Sequence, residues 1–279
     1  MDIFLPFMLD NGFSKGAYIA ADKTIADMVA TRHYPSVVET VFGQMTLLAL
    51  ALSGNIKYNG TFALNVRGDG PIRRVFVSVT HDKKIRGYAD FDADNLPISD
   101  NPTNADLFGK GQLLFSVSQV GQEPYQGVIQ LTQHTLTETV LDYFRLSEQI
   151  KTDLVLRCYN HQYRCLMLQE MPRQNNLTVE EQNDLWETQT VLMNSVQDKE
   201  LFDEKLTPQD ILFRLFHANE LVVFKESIPE FSCPCHRSQM EKFLKSLSSQ
   251  ERQDLYQDGK ITVECQFCGN QFTFSKEDF

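Results

Sequence analysis

Short apolar runs bounded by turn residues recur through the first 170 residues, at 16–20, 61–66, 75–79, 112–117 and 127–131. Their length and their β-branched and aromatic content are those of strands. Two longer segments carry apolar stripes at helical spacing. One opens on the capping sequence Ser36-Val37-Val38-Glu39 and runs to about Leu52, and the other spans about 134–148. Between the second and third strands, Gly68-Asp69-Gly70-Pro71 suits a hairpin connection with positive-φ positions. Antiparallel-type strands interrupted by helices predict an α+β domain rather than a doubly wound sheet.

After Met171-Pro172 the texture changes. Asn175-Asn176 reads as a loop, and Thr178-Val179-Glu180-Glu181 caps an acidic helix with a narrow stripe of Leu185, Trp186, Leu192, Met193 and Val196. Thr207-Pro208-Gln209-Asp210 opens another, with Ile211, Leu212, Leu215 and Phe216 on one face. Further on, the stretch from Arg237 to Leu247 has a helical pattern, and Ser248-Ser249-Gln250-Glu251 is a capping box for a second helix that Gly259 ends. Residues 261–264 and 271–274 then form a hairpin beside Gly269-Asn270. The expected organisation is a mixed α/β core over 1–174, a helical linker over 175–232 and a small module over 233–279.

Composition sharpens this picture. With 42% apolar, 11% aromatic and 23% charged residues, the 279-residue chain can bury a core. Asp2 stands where a signal peptide needs a basic residue, and no uninterrupted apolar run approaches a membrane span. A cytoplasmic protein without membrane attachment is expected. The net charge of −11 argues against nonspecific binding to nucleic acid, and residues 172–232 alone hold twelve Asp or Glu against five Lys or Arg.

Four of the six cysteines fall in the last 47 residues, as Cys233-Pro234-Cys235, a 29-residue gap, and Cys265-Gln266-Phe267-Cys268. Two close pairs of soft thiolates joined by a folded insert supply the tetrahedral sulfur set that zinc prefers, one ion per chain. So short a module rarely folds on apolar burial alone, whereas structural zinc contributes roughly 10–16 kcal/mol in zinc-finger peptides. A redox pair without metal is the competing reading. His236 follows Cys235 directly, but four thiolates already complete a shell. Cys158 and Cys165 lie in apolar strand-like sequence and read as small buried hydrophobes. The C-x-C pair is unusual for a structural ribbon, and zinc-lowered thiolates are good nucleophiles toward peroxide or hypochlorous acid.

These residues resemble a known family, the redox-regulated holdase chaperones called the thirty-three-kilodalton heat-shock chaperonin. In the first part of the chain the resemblance rests on His33-Tyr34-Pro35, Gly68-Asp69-Gly70-Pro71, Tyr125-Gln126-Gly127, and Tyr143-Phe144 with Ser147-Glu148-Gln149 and Thr152. In the tail it rests on Leu215-Phe216-His217, the C-x-C, the gap, and Glu264-Cys265-Gln266-Phe267-Cys268-Gly269. It implies an ATP-independent chaperone for unfolded client proteins, inactive while reduced and zinc-bound. It further implies that oxidation pairs Cys233 with Cys235 and Cys265 with Cys268, ejects zinc, unfolds the tail and favours a homodimer. The segment 175–232 would be a metastable linker covering an apolar surface, a role its self-repelling charge suits.

Two departures stand out. His161-Gln162-Tyr163-Arg164-Cys165 replaces small, glycine-rich residues, and Gly43-Gln44 stands where an acidic residue is usual. The alternative functions are a zinc-ribbon nucleic-acid-binding protein and a thiol oxidoreductase. The module's six Lys or Arg against seven Asp or Glu leave no phosphate-tracking stripe, and its C-x-x-C belongs to a hairpin rather than a helix start. No phosphate loop or H-E-x-x-H occurs, and no enzyme is expected.

Overall fold

The computed structural model describes all residues except 100, 120 and 173–176. The expected loop at Asn175-Asn176 and the expected core–linker boundary at 174 and 175 therefore lie outside the described residues.

The chain opens with strands β1 (Asp2–Leu9) and β2 (Ser14–Ala21), then helices α1 (Asp22–Val29) and α2 (Ser36–Gly54). An antiparallel meander follows: β3 (Gly60–Gly68), β4 (Ile72–Thr80) and β5 (Lys84–Phe91). Helix α3 (Asn104–Phe108), β6 (Gly111–Gln119), β7 (Tyr125–Gln130), α4 (Leu136–Tyr143), β8 (Thr152–Tyr159) and β9 (Gln162–Glu170) complete the core. Beyond it come α5 (Val179–Asn194), α6 (Asp198–Leu201), α7 (Pro208–Phe216), β10 (Val222–Val223) and β11 (Glu230–Phe231). The tail consists of α8 (Arg237–Ser246), α9 (Ser249–Asp254), β12 (Lys260–Glu264) and β13 (Gln271–Ser275).

Two sheets, ordered β10-β1-β2-β9-β8 and β11-β5-β4-β3-β6-β7, enclose α2 between them. That burial explains the composition of α2, which is apolar on every side. By length and composition alone it could cross a membrane, yet 72% of it is buried inside the fold. The five-stranded sheet is covered on both faces. Phe4, Ile19 and Cys165 point toward α2, while Leu5, Phe7, Tyr18 and Leu166 point away, against Met193, Leu212 and Phe216 of α5 and α7. Strands buried on both sides lose the apolar–polar alternation, which is why β1 gave no strand signal in the sequence. In β5 the charges of Lys84, Arg86 and Asp90 hid the pattern.

Several local expectations are corrected. Ser36 makes no cap bond, because Pro35 is the N-cap residue of α2 and Glu39 is engaged elsewhere. Its carboxylate accepts from Tyr163 Oη at 3.0 Å and meets His161 Nδ1 at 2.6 Å. Gly68 and Gly70 form the expected hairpin turn without positive φ. Closeness requires them instead: Gly70 N–H donates to the Phe108 carbonyl at 2.9 Å, and a Cβ on Gly68 would stand 2.0 Å from that oxygen. Helix α4 is capped by Thr135 and Glu138 and continues into a π-helical turn over Phe144–Glu148. Helix α9 ends at Asp254, and Gly259, with φ +77°, serves the turn into β12.

The segment expected as a helical linker buries more than its narrow stripe suggested. The capping boxes at Thr178 and Thr207 form, and Met193, Val196, Leu201, Ile211, Leu212, Leu215 and Phe216 all join the core cluster. It is also not purely helical. β10 extends the five-stranded sheet along β1, and β11 pairs in parallel with β5 on the other sheet. Residues 222–231 thus strap one sheet to the other.

Candidate metal centre

Each half of the centre is a tight piece of backbone. Cys233 and Cys235 alternate along the extended segment after β11, and Cys265 and Cys268 lie in the turn between β12 and β13. In that turn Cys265 N–H donates to the Asn270 carbonyl and Gly269 N–H to the Cys265 carbonyl, both at 2.9 Å. Gly269 supplies the positive φ (+72°) that lets the chain double back. The insert closes the ring. Arg237, at the start of α8, donates to the Thr273 carbonyl at 2.6 Å and to Asp278 at 2.9 Å, with its guanidinium 4.4 Å from the centre of the Phe274 ring.

All four sulfurs lie within 4.8 Å of one another, a cluster that could hold a metal ion. The nearest pairs cross between the two halves: Cys233 to Cys265 at 3.6 Å and Cys235 to Cys268 at 3.2 Å. Burial and backbone donors set these thiols apart. Burial pushes Cys233 up to about 11 and raises Cys235 as well. Burial also acts on Cys265, but the backbone N–H groups of Phe267 and Cys268 aimed at its sulfur outweigh it and hold that thiol below its ordinary value. His236 is exposed and lies outside the cluster. Cys165 is fully buried and Cys158 half-buried; burial lifts Cys158 to about 12 and raises Cys165 too, which leaves both poorly nucleophilic.

The module has little core of its own, with Leu244, Ile261 and Phe274 fully buried. It leans on the body of the protein instead. Arg32, in the loop between α1 and α2, donates to Glu264 at 2.9 Å and to the Cys265 carbonyl, and Thr31 donates to the Cys268 carbonyl at 3.4 Å. Phe267 is held edge-on by Tyr88 (5.3 Å) and Phe76 (5.8 Å), with Arg86 4.5 Å from its ring centre. Sequence reasoning missed these contacts. Arg32 carries no local signal, but an aromatic residue between two ligand cysteines could have been read as one with nowhere to go inside so small a module.

Known proteins resemble this chain along nearly its whole length. The family described as Hsp33 protein matches residues 2–275. A "33 kDa chaperonin" of Pseudomonas fluorescens (strain SBW25) is 29% identical over 98% of this chain and 90% of its own length. That of Haemophilus influenzae (strain PittEE) is 30% identical over 94% and 88%. The crystal structure of the 33 kDa chaperonin (heat shock protein 33 homolog) of Thermotoga maritima shares the fold, with a TM-score of 0.84 at 20% identity over 100% of this chain and 96% of that one. Matched by its family model over nearly every residue, the chain belongs to the Hsp33 family of chaperones, which are not enzymes.

Proposed function

We propose that this chaperone is a redox-regulated, ATP-independent holdase of the cytoplasm, with one zinc ion on Cys233, Cys235, Cys265 and Cys268 as its thiol switch. The convergence of those four sulfurs within 4.8 Å carries the reading. Tetrahedral zinc with bonds near ~2.3 Å sets its sulfurs roughly 3.8 Å apart, within the spread seen here. The ion would lower the thiol pKa values and fasten the module.

The chain's own residues do the rest. A thiolate attacks a peroxide oxygen, releasing hydroxide and leaving a sulfenic acid; a second thiolate then displaces hydroxide from that sulfur and closes the disulfide. The sulfurs nearest in the folded module are 32 and 33 residues apart in sequence and separate as it loosens. Neighbours in sequence stay close, so loop-closure entropy favours Cys233–Cys235 and Cys265–Cys268.

Disulfides remove the ligands, and a module with three fully buried apolar side chains then lacks the energy to stay folded. Its loss frees Arg32 and the strap, and the linker over about 175–232 loosens from the sheet that Leu5, Phe7 and Leu166 present. That surface holds unfolding proteins and favours a homodimer. Light scattering of a heat-unfolded client, with zinc release followed by a colorimetric chelator, tests this. Aggregation should fall only for peroxide-treated protein, and zinc release with neither client protection nor dye binding would overturn the reading.

A further inference from the structure

The outward face of the six-stranded sheet, opposite α2, carries a row that the zinc module covers only at one end. Tyr88, Phe76, Asn65, Leu114 and Val128 are successive cross-strand partners over β5, β4, β3, β6 and β7. Phe267 rests on Tyr88 and Phe76, while Val128 at the far end is 55% exposed. Beside the row the same face presents Arg67, Arg74 and Arg86 in a chain of net charge −11. Its nearby carboxylate, Asp90, lies 3.8 Å from Arg73. Arg74 is fixed by Asn65 Oδ1 at 3.0 Å, with its guanidinium 5.4 Å from the Tyr88 ring centre.

We propose that this face is an aromatic-recognition site whose resident ligand is Phe267, and that it takes a Phe, Tyr or Trp side chain of an extended acidic polypeptide once the Cys265–Cys268 turn lifts. Two ring edges and a guanidinium specify an aromatic ring over an aliphatic chain, because only a π-face gains from both. Three arginines specify acidic neighbours. Strand spacing makes the row about 19 Å long, the reach of about six extended residues. The site lies on the opposite sheet from the surface under α5 and α7, and it deepens the proposed function, resting on that reading of the zinc module as a part that lifts.

The test uses the full-length, reduced, zinc-loaded protein and fluorescence anisotropy of a labelled, unstructured Glu/Gly/Ser peptide bearing two Phe residues. Phe267→Ser should bind it about tenfold tighter than the wild type with zinc content unchanged, and adding Phe76→Ser should abolish the gain. A peptide with Leu for Phe should not gain. Zinc-loaded Phe267→Ser binding no tighter than wild type, or a gain that survives Phe76→Ser, overturns the proposal. If Phe267→Ser sheds zinc, oxidised protein decides: Phe76→Ser must weaken peptide binding there, and unchanged affinity overturns the proposal. Oxidised wild type that suppresses client aggregation while Phe76→Ser leaves peptide affinity unchanged sinks this site alone. Absence of suppression sinks the holdase reading itself.

Discussion

Tyr163 rests its ring against the backbone of Gly43, so closely that a Cβ at position 43 would stand 2.1 Å from a ring carbon. Tyr163 and Gly43, which stand in the two stretches expected to depart from the family resemblance, therefore pack as one unit. A large residue on β9 is accommodated by the smallest one on α2, and Glu39, one turn before Gly43, takes the phenol hydroxyl. Gln44 has no part in the exchange.

Gly43→Ala should consequently destabilise the core by about 1–3 kcal/mol, the cost of overpacking, despite the better helix propensity of alanine. Combined with Tyr163→Ala, the loss should be well below the sum of the two single effects. Urea unfolding of the four proteins measures the coupling; strict additivity would show that the ring can move aside.

A second expectation concerns the polar anchor of α5. Gln189 on α5 is fully buried, accepts from Ser14 Oγ at 2.7 Å and donates to Asp10 at 2.7 Å, and Asp10 also accepts from Asn219 at 2.7 Å. Gln189→Leu leaves Ser14 short of a partner in the interior, at a cost of about 1–3 kcal/mol. Because that cost falls on docking of α5, limited proteolysis of the reduced protein should cleave within 179–216 faster than in wild type. Equal cleavage rates would mean that the apolar contacts of α7 alone set the docking.

The four-cysteine cluster was legible because its signals are local: cysteine spacing, capping boxes and hairpin turns each speak within a few residues. Ser248 and Thr178 capped as read, and β12 and β13 paired as read. What escaped was long-range. β10 and β11 are two residues each, too short for periodicity, and exist because the edges of β1 and β5 offer unpaired groups. Arg32 is one basic residue in a polar loop until folding brings Glu264 beside it.

Removing single thiols separates ligands from bystanders. Cys233→Ser, Cys235→Ser, Cys265→Ser or Cys268→Ser should each lower zinc well below one per chain and melt α8 and α9. Cys158→Ser and Cys165→Ser should leave zinc content unchanged. Elemental analysis with far-ultraviolet circular dichroism decides, and zinc retained in Cys265→Ser would contradict the assignment.

The last prediction rests on Lys83, which is only 9% exposed yet forms no ion pair among the described residues. Its ammonium lies 4.4 Å from the centre of the Phe4 ring and 3.4 Å from Ser53 Oγ, and its carbonyl accepts from Glu230 N–H at 3.1 Å, so it sits beneath the strap. Burial lowers its pKa from 10.5 to about 8. The charged form is the one the fold disfavours. Below about 8 the lysine is protonated in folded and unfolded chains alike, and the full penalty of burying the charge is present. Between about 8 and 10.5 the unfolded chain holds the proton and the folded one does not, so the penalty shrinks as pH rises. Lys83→Met keeps the stem against Phe4 and removes the charge. It should stabilise the protein by about 1–3 kcal/mol at pH 7, with the advantage fading toward zero above the ordinary lysine value. Taking the difference between variant and wild type at each pH cancels the tyrosines and thiols that titrate in the same range. Urea midpoints of both proteins at neutral and alkaline pH give that difference, and a gap that stays constant across the window would show that the Lys83 amine remains hydrated in the fold.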